Sequence, residues 1–207
     1  MTATRTALLV GAFGTGDVED DMLIDAFAAA LPGWRLLVTA YRRSRVRCDH
    51  DPAFVVSSDR RAIDRALRDA DAAIFTGDHV FAGTPPYAWL GRIHRAALLA
   101  MAARGRRTHL AIVGTRVSAI EHRLERLAAR TLVRVTELLI VNDETSAYIV
   151  ATAGATPPFR VGTDPAWFLM DRVSPRDRRG DTLVVAVDER VAGPDLDVRL
   201  ASALGRC

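Results

Sequence analysis

The chain has 207 residues, of which 49% are hydrophobic and 26% are charged, and its formal net charge at pH 7 is +3. This composition predicts an ordinary globular protein and excludes a disordered chain. All 28 basic residues are arginine. Their clusters lack the interleaved aromatic residues of a single-strand groove, so we expect no nucleic-acid partner.

The cysteines and the apolar segments indicate the cellular setting. Cys48 and Cys207 are the only two cysteines and lie far apart, which excludes a disulfide framework and a cysteine metal site. The first residues lack the charged and apolar regions of a signal peptide. The apolar stretch at 96–103 is too short to cross a bilayer. We therefore expect a cytoplasmic protein with no membrane span.

Strands and helices alternate along the chain. Residues 6–10 form a short apolar run that ends at a glycine-rich turn, which is typical of a buried parallel strand. Residues 20–31 then carry apolar side chains at helical spacing, and Pro32-Gly33 ends that helix. The other strands are predicted at 35–40, 54–56, 72–75, 109–113, 137–141 and 159–161. The helices between them are predicted to begin near residues 58, 85, 118 and 142.

Two of these helices carry more specific predictions. The helix that begins near residue 85 is expected to end at Gly105, because glycine commonly follows the last helical residue. The helix that Ser118 caps is expected to bury four apolar residues that lie in register, namely Ile120, Leu124, Leu127 and Ala128.

Repeated strand–turn–helix units predict an α/β fold, a Rossmann-like three-layer domain with a mainly parallel sheet. We assign residues 1–172 to this domain. Residues 173–181 are polar and contain Pro175 and Gly180, which indicates a linker. Residues 182–207 predict one strand and one short helix, either the start of an incomplete second unit or an extension. Ligands of such sheets bind at the carboxyl ends of the strands.

The turn after the first strand combines glycines with acids. Gly14 and Gly16 allow backbone N–H groups to approach a ligand at the start of a helix. The spacing is not that of a dinucleotide loop, and Asp17, Asp20 and Asp21 would repel a pyrophosphate. Carboxylates there can accept hydrogen bonds from sugar hydroxyls or act as acid–base groups. The alternative is a tight turn whose acids cap the helix.

Further candidates follow the later strands. In chain order they are Gly77, Asp78, His79, Arg116, Asn142, Asp143 and Asp164. A histidine beside an aspartate can act as a general base, and an ordinary loop is the alternative. The arginine is placed to meet an anion or to form a surface salt bridge. The last three residues either face a ligand or cap the helices that follow them.

Several of these segments, taken in order, resemble the polysaccharide pyruvyl transferase family. Residues 11–21, GAFGTGDVEDD, resemble that family's opening loop, G-x-x-G-x-G-N-x-G-D-E, with Asp17 at the asparagine position. Residues 141–146, VNDETS, resemble its VRDEES segment. Residues 163–169, TDPAWFL, resemble its TDPAFLL segment.

The similarity extends from about residue 6 to residue 170 and has two departures. Only Gly77 matches the family's glycine triplet, and residues 114–118, GTRVS, replace a GIGP-like segment that lines the ligand. Both departures remove glycine from the expected binding wall.

The resemblance implies that this chain is the N-terminal half of a GT-B fold, in which two Rossmann-like domains face a cleft. It implies transfer of a pyruvyl group from phosphoenolpyruvate to a sugar or glycan acceptor, with phosphoenolpyruvate as co-substrate and no cofactor or metal. Asp20, Asp78 and His79 are then the catalytic candidates. The ligand-binding candidates are Gly14, Gly16, Asp17, Asp21, Gly77, Arg116, Asn142, Asp143 and Asp164.

Such an enzyme needs its other half, from a second polypeptide, from a missing segment or from another copy in a homo-oligomer. Two other hypotheses stay open. The loss of glycines favours a catalytically degenerate binding or partner protein on the same domain. An unrelated small-molecule enzyme is the third possibility, because a Rossmann-like sheet does not determine function.

Overall fold

The computed structural model describes residues 4–77, 80, 81, 96, 99–106, 108–117, 120, 123–152 and 159–172. The chain divides into two compact units, Met1–Arg172 and Val173–Cys207. Every described residue belongs to the first unit. The predicted linker at 173–181 and the predicted strand and helix at 182–207 lie outside the described residues.

The first unit is built on a seven-stranded sheet in the order β3-β2-β1-β4-β5-β6-β7. The strands are β1 Thr6–Val10, β2 Arg35–Ala40, β3 Ala53–Val56, β4 Ala72–Thr76, β5 His109–Thr115, β6 Leu138–Val141 and β7 Phe159–Val161. Each of the six strand pairings is parallel. The predicted Rossmann-like α/β class is confirmed, and the described sheet is wholly parallel.

Helices connect the strands. They are α1 Val18–Ala30, α2 Arg60–Asp69, α3 at residues 96 and 99–105, α4 Arg123–Val135 and α5 Glu144–Thr152. Two 3₁₀ helices, Arg43–Arg45 and Pro165–Arg172, complete the described elements. None of the described helices has the length and apolar composition that a bilayer crossing requires.

Three helix details differ from the sequence-based expectation. Helix α1 begins at Val18, before the predicted start, because Asp17 caps it by accepting from the Glu19 N–H. The helix α3 ends at Gly105 as expected, but Gly105 is its last helical residue rather than the residue after it. In α4, Leu124 and Leu127 are 51% and 61% exposed. The prediction that these two leucines are buried is wrong.

The helix α4 faces the sheet with other side chains. Its buried apolar residues are Ala128, Ala129, Leu132 and Val133. The helix carries apolar residues around much of its circumference, so spacing alone left the inward face ambiguous. Packing against the sheet selected the half of the helix that carries the small alanines.

Apolar clusters cover both faces of the sheet. On one face, α1 packs Leu23, Ile24 and Phe27 against β1 and β2. On the other face, residues from α2, α3, α4 and α5 pack against Leu8 and Phe75. A sheet buried on both faces needs continuous apolar strands. Fully burying one such Leu or Phe contributes about 1.5–3 kcal/mol.

The strand order places a potential ligand site. From β1 the chain proceeds outward to β2 and β3, and then returns to the other side of β1 for β4 and the later strands. This reversal lies between β1 and β4. In open parallel sheets, ligands bind outside the carboxyl ends of the strands at such a reversal.

Candidate functional site

The turn between β1 and α1 is held tightly against its neighbour. Gly14 and Gly16 have φ values of 72° and 106°, which favour glycine. The backbone carbonyl of Arg42 occupies the space that a Cβ on Gly14 would need. Among the described residues, no atom lies within 4 Å of such a position on Gly16. Of the two predicted ligand-binding glycines in this turn, Gly16 is therefore the less crowded.

Two of the three predicted acids in this turn, Asp17 and Asp21, bind backbone N–H groups. Asp17 accepts from the Glu19 N–H at 3.1 Å and caps α1. Asp21 is 1% exposed. Its two oxygens accept from the Gly14 N–H at 3.1 Å and from the Arg47 N–H at 3.0 Å. Asp21 therefore joins the glycine turn to the segment after β2.

The third acid lies at the strand-order reversal. Asp20 is 5% exposed. A Cβ on Gly77, whose φ is 84°, would lie 2.5 Å from Asp20 Oδ1. The backbone after β4 thus reaches the Asp20 carboxylate at a distance that only glycine allows. The predicted catalytic partners Asp78 and His79 lie outside the described residues.

Hydrogen bonds link the strand ends from β4 to β6. The Gly77 N–H donates to the Gly114 carbonyl at 3.2 Å. The Thr115 hydroxyl donates to the Gly77 carbonyl at 3.1 Å, and the Asn142 N–H donates to the Thr115 carbonyl at 3.1 Å. We use the name rim for a set of residues at this edge of the sheet. They are Asp20 of α1, the strand-end residues Thr76, Gly77, Gly114, Thr115 and Asn142, and Pro165 of the second 3₁₀ helix.

The segment after β7 returns to this rim. The β5–β6 register shifts between Val113 and Thr115, and Gly114 there has a φ of 68°. A Cβ on Gly114 would overlap the ring of Pro165. Asp164 accepts from the Ala166 N–H at 2.8 Å, so it caps the 3₁₀ helix that begins at Pro165.

The turn between β6 and α5 is largely self-contained. Asp143 accepts from the Ser146 N–H at 2.7 Å and from the Ser146 hydroxyl at 3.1 Å. The Ser146 Oγ also accepts from the Val117 N–H at 2.9 Å. Arg116 Nε lies 4.0 Å from Asp143 Oδ2, and the Arg116 side chain is 64% exposed. Asp143 thus caps α5, while the Arg116 guanidinium extends into solvent.

Thr76 Oγ1, on a residue that is 0% exposed, and Asn142 Oδ1 are buried oxygen atoms of the rim. Neither has a hydrogen-bond partner among the residues that the structure describes. Buried polar atoms are nearly always hydrogen-bonded, so an exception requires an explanation such as a ligand. Sequence reasoning missed Thr76. The available signal was a hydroxyl at the last position of an otherwise apolar strand, AAIFT.

The described residues therefore bring together Asp20, Gly77, Asn142 and the segment at Asp164 along one edge of the sheet. Oxygen acceptors and hydroxyl groups dominate that edge, which is chemistry suited to a polyhydroxyl ligand. Among the residues that the structure describes, no group of three or more His, Cys, Asp or Glu side chains could hold a metal ion.

Comparisons with known proteins bear on the fold. No family model and no curated protein matches this chain. Its structure is similar to UDP-N-acetylglucosamine 2-epimerase from Rickettsia bellii, with a TM-score of 0.53 and 14% sequence identity over 86% of this chain and 50% of the epimerase. TubZ of Clostridium botulinum phage c-st, truncated at its C-terminal tail, aligns with a TM-score of 0.38 and 12% identity over 73% of this chain and 58% of TubZ.

The TubZ similarity is too low to carry an argument. This chain spans half the length of the epimerase that it matches. The similarity to the epimerase shows a Rossmann-like α/β domain of the GT-B type.

Proposed function

We propose that this chain is the sugar-binding half of a pyruvyl transferase-like enzyme, with the sugar seated on the rim between β1 and β6. The proposal rests on two buried oxygen atoms without a partner among the described residues, Thr76 Oγ1 and Asn142 Oδ1. They lie at the carboxyl ends of β4 and β6. A ligand with several hydroxyl groups would satisfy both atoms, since hydroxyls donate as well as accept.

The proposal assigns the role of proton acceptor to Asp20. In pyruvyl transfer, two sugar hydroxyls add to C2 of phosphoenolpyruvate, phosphate leaves, and the methylene carbon becomes a methyl group. The hydroxyls release two protons, of which one goes to that carbon and the other to a base or to the phosphate. A carboxylate beside the sugar can accept such a proton. Asp20 is buried against Gly77 at this point.

The donor requires a cationic group. Phosphoenolpyruvate carries a carboxylate and a phosphate, and arginine binds both with a planar pair of donors. Arg116 follows β5 and is largely exposed, and the proposal assigns its guanidinium to the anionic donor, which a second domain would hold. We propose that this second domain comes from another polypeptide, from a further segment of the protein or from a second copy of this chain.

The experiment separates binding from folding. Calorimetry on the full chain would titrate N-acetylglucosamine, UDP-N-acetylglucosamine and phosphoenolpyruvate into wild type and into Thr76→Val. The Thr76 hydroxyl has no partner to lose, so Thr76→Val should leave the free energy of unfolding unchanged or raise it slightly. The sugar affinity should fall about tenfold, the size of one lost hydrogen bond to the ligand.

Thr108→Val is the matched control. Thr108 is 5% exposed and its hydroxyl donates to the Leu67 carbonyl at 3.2 Å, at the opposite edge of the sheet. This variant should lose about 1 kcal/mol of stability and keep its sugar affinity. The proposal is wrong if none of the probes binds wild type, or if Thr76→Val and Thr108→Val bind them equally well. Sugar binding without phosphoenolpyruvate turnover by an assembled enzyme would favour the degenerate binding protein.

A further inference from the structure

A second chemical feature lies beside the rim, at the end of β2. Residues 41–52 connect β2 to β3 and contain Arg42, Arg43, Arg45 and Arg47, and we call this segment the arginine loop. All four arginines are exposed. They occupy four of six consecutive positions, a cationic density found nowhere else in the described residues.

Most of these guanidinium groups have no acidic partner in the structure. Arg43 lies 3.9 Å from Asp51 and stacks over the Phe54 ring at 5.3 Å. For Arg42, Arg45 and Arg47, the described part of the chain supplies no side-chain ion pair or hydrogen bond. Some exposed arginines elsewhere have acidic partners, as Arg68 and Arg106 do with Asp64.

The backbone of the arginine loop is fixed at its beginning. The Tyr41 N–H donates to the Phe13 carbonyl at 3.0 Å, and the carbonyl of Arg42 packs directly on Gly14. The Arg47 N–H donates to Asp21 at 3.0 Å. Two anchors therefore enclose the arginines and join them to the same turn that presents Asp20 to the rim.

The end of the loop is fixed by a second acid of α1. Asp25 accepts from the Asp49 N–H at 3.0 Å, from the His50 N–H at 3.1 Å and from His50 Nδ1 at 2.8 Å. The Asp25 side chain is only 14% exposed. Asp21 and Asp25 thus hold the loop from one face of α1, so little backbone entropy would be lost when the arginines bind a ligand.

We propose that the arginine loop binds the phosphate group of the ligand whose sugar occupies the rim, so that the sugar ligand is a sugar phosphate or a pyrophosphate-linked sugar. This inference rests on the proposed function for the sugar. The acidic rim disfavours phosphate, whereas the end of β2, two strand spacings or about 10 Å from the end of β4, presents the unpartnered guanidiniums. A sugar with a phosphate on its anomeric oxygen, met by the length of an arginine side chain, spans that separation. Arginine forms paired, charge-assisted hydrogen bonds with phosphate oxygens.

The test uses two ligands that differ by one phosphate, N-acetylglucosamine and N-acetylglucosamine 1-phosphate, together with inorganic pyrophosphate. Calorimetry on the full chain would compare wild type with the triple variant Arg42→Gln, Arg45→Gln, Arg47→Gln. We expect the triple variant to bind N-acetylglucosamine 1-phosphate and pyrophosphate about tenfold more weakly or worse. Its affinity for N-acetylglucosamine should stay within about twofold, since that sugar lacks the phosphate.

The control removes the same charge elsewhere. Arg61→Gln, Arg65→Gln and Arg134→Gln lie at exposed positions of α2 and α4, and this variant should bind all three probes as wild type does. Equal loss in both triple variants would overturn the proposal, because net charge alone would then account for it. Equal affinity of wild type for the sugar and its phosphate would also overturn it. So would tighter, arginine-dependent binding of a 15-nucleotide oligothymidylate than of pyrophosphate.

The two proposals fail differently. If pyrophosphate binds through the arginine loop and no sugar binds, the anion site stands as a phosphate site and the sugar assignment of the rim is wrong. If N-acetylglucosamine binds and is lost in Thr76→Val, but the phosphate adds no affinity, the rim assignment stands and the arginine-loop proposal is wrong.

Discussion

The turns that lead into α1 and α5 have similar sequences but use their acids differently. Each follows a buried strand and carries consecutive polar residues, GTGDVEDD in one and NDETS in the other. In the first turn, Asp21 reaches back to Gly14 and across to Arg47, which is 26 residues away. In the second turn, the hydrogen bonds that the described residues make to the Asp143 carboxylate come from Ser146 in the same turn, and Arg116 Nε lies 4.0 Å from it.

The difference follows from the neighbours that each turn has. The α1 turn lies beside two strand ends, and the segment after β2 passes over it with backbone N–H groups that need acceptors. The α5 turn is nearer the edge of the sheet, where Val117 is the neighbouring donor and Ser146 accepts from it. The acidic turn before α1 therefore binds the backbone of a neighbouring loop, because the two loops meet there. The acidic turn before α5 lies away from such a meeting point, and its acid caps its own helix.

The largest loss of stability should come from a substitution at Gly114, which lies between the two turns along the edge of the sheet. In Gly114→Ala, the new methyl group would overlap the Pro165 ring and the residue would keep a positive φ. We expect a loss of about 3–4 kcal/mol in the free energy of unfolding, measured by urea denaturation. Gly16→Ala is the control, because its φ is also positive but its methyl group would meet no atom of the described residues within 4 Å. A loss of only about 1 kcal/mol is expected there. Equal losses would show that Pro165 does not pack on β5.

The next largest loss of stability should follow the removal of Asp21, the acid that joins the α1 turn to the segment after β2. Asp21→Ala leaves the N–H groups of Gly14 and Arg47 without their acceptor in a buried setting. We expect a loss of about 3 kcal/mol by the same measurement. Asp17→Ala removes one exposed cap and should cost about 1 kcal/mol. If the two variants are equally stable, Asp21 acts as an ordinary cap and the contrast between the turns disappears.

Substitutions in the turn before α5 should destabilise the protein less. Ser146→Ala removes the acceptor of the Val117 N–H and one donor to Asp143. We expect a loss of about 1–2 kcal/mol in denaturant titrations. Replacement of the exposed Tyr148 of α5 by alanine should change the stability by less than about 0.5 kcal/mol. A loss for Ser146→Ala as large as that for Asp21→Ala would contradict the comparison.

The smallest expected effect on stability belongs to an experiment that measures the reactivity of the Cys48 thiol. Burial raises the pKa of Cys48 from 9.0 to about 11, with a further contribution from Asp25, Asp21, Asp49 and Asp51. The raised pKa lowers the thiolate fraction at pH 8 about a hundredfold, and the thiolate is the reactive form. In a Cys207→Ser background, iodoacetamide should therefore modify Cys48 about a hundredfold more slowly in the folded protein than in urea, with the rate rising up to about pH 11.

The substitution Asp25→Asn tests the cause of the raised pKa of Cys48. It removes the one of the four negative charges that raises the pKa of Cys48 most, and it weakens the attachment of the arginine loop to α1. The pKa of Cys48 should fall and the modification rate should rise. Equal rates in the folded and the unfolded protein would show that Cys48 is not enclosed by the loop.

The strands could be predicted because a parallel sheet covered on both faces requires short, continuous apolar runs. Strands β1, β2 and β7 have the predicted bounds, and the others differ by one or two residues. The inward face of α4 could not be predicted in the same way. Leu124 and Leu127 are as apolar as the residues that are buried, and only the shape of the neighbouring sheet distinguishes them.

Fewer features of the candidate site could be predicted. The glycine and acidic residues at the strand ends were visible in the sequence, and parallel strands bring such ends to one edge. The partners of each acid were not visible, because Arg47 and Gly77 are distant in sequence from Asp21 and Asp20. Thr76 was missed, since nothing in a single residue type indicates that its hydroxyl is left without a partner.

The alternation of apolar strands and helices by itself determined the α/β class, the parallel sheet and the edge at which polar residues collect. Those features depend on local hydrophobic pattern and on chain connectivity, which are properties of the sequence. Only the tertiary structure decided that Asp17, Asp21 and Asp143 hold the backbone while Asp20 lies against Gly77 at the reversal of strand order. The physical reason is that a side-chain hydrogen bond is selected by proximity in space, and folding alone brings distant backbone groups within reach.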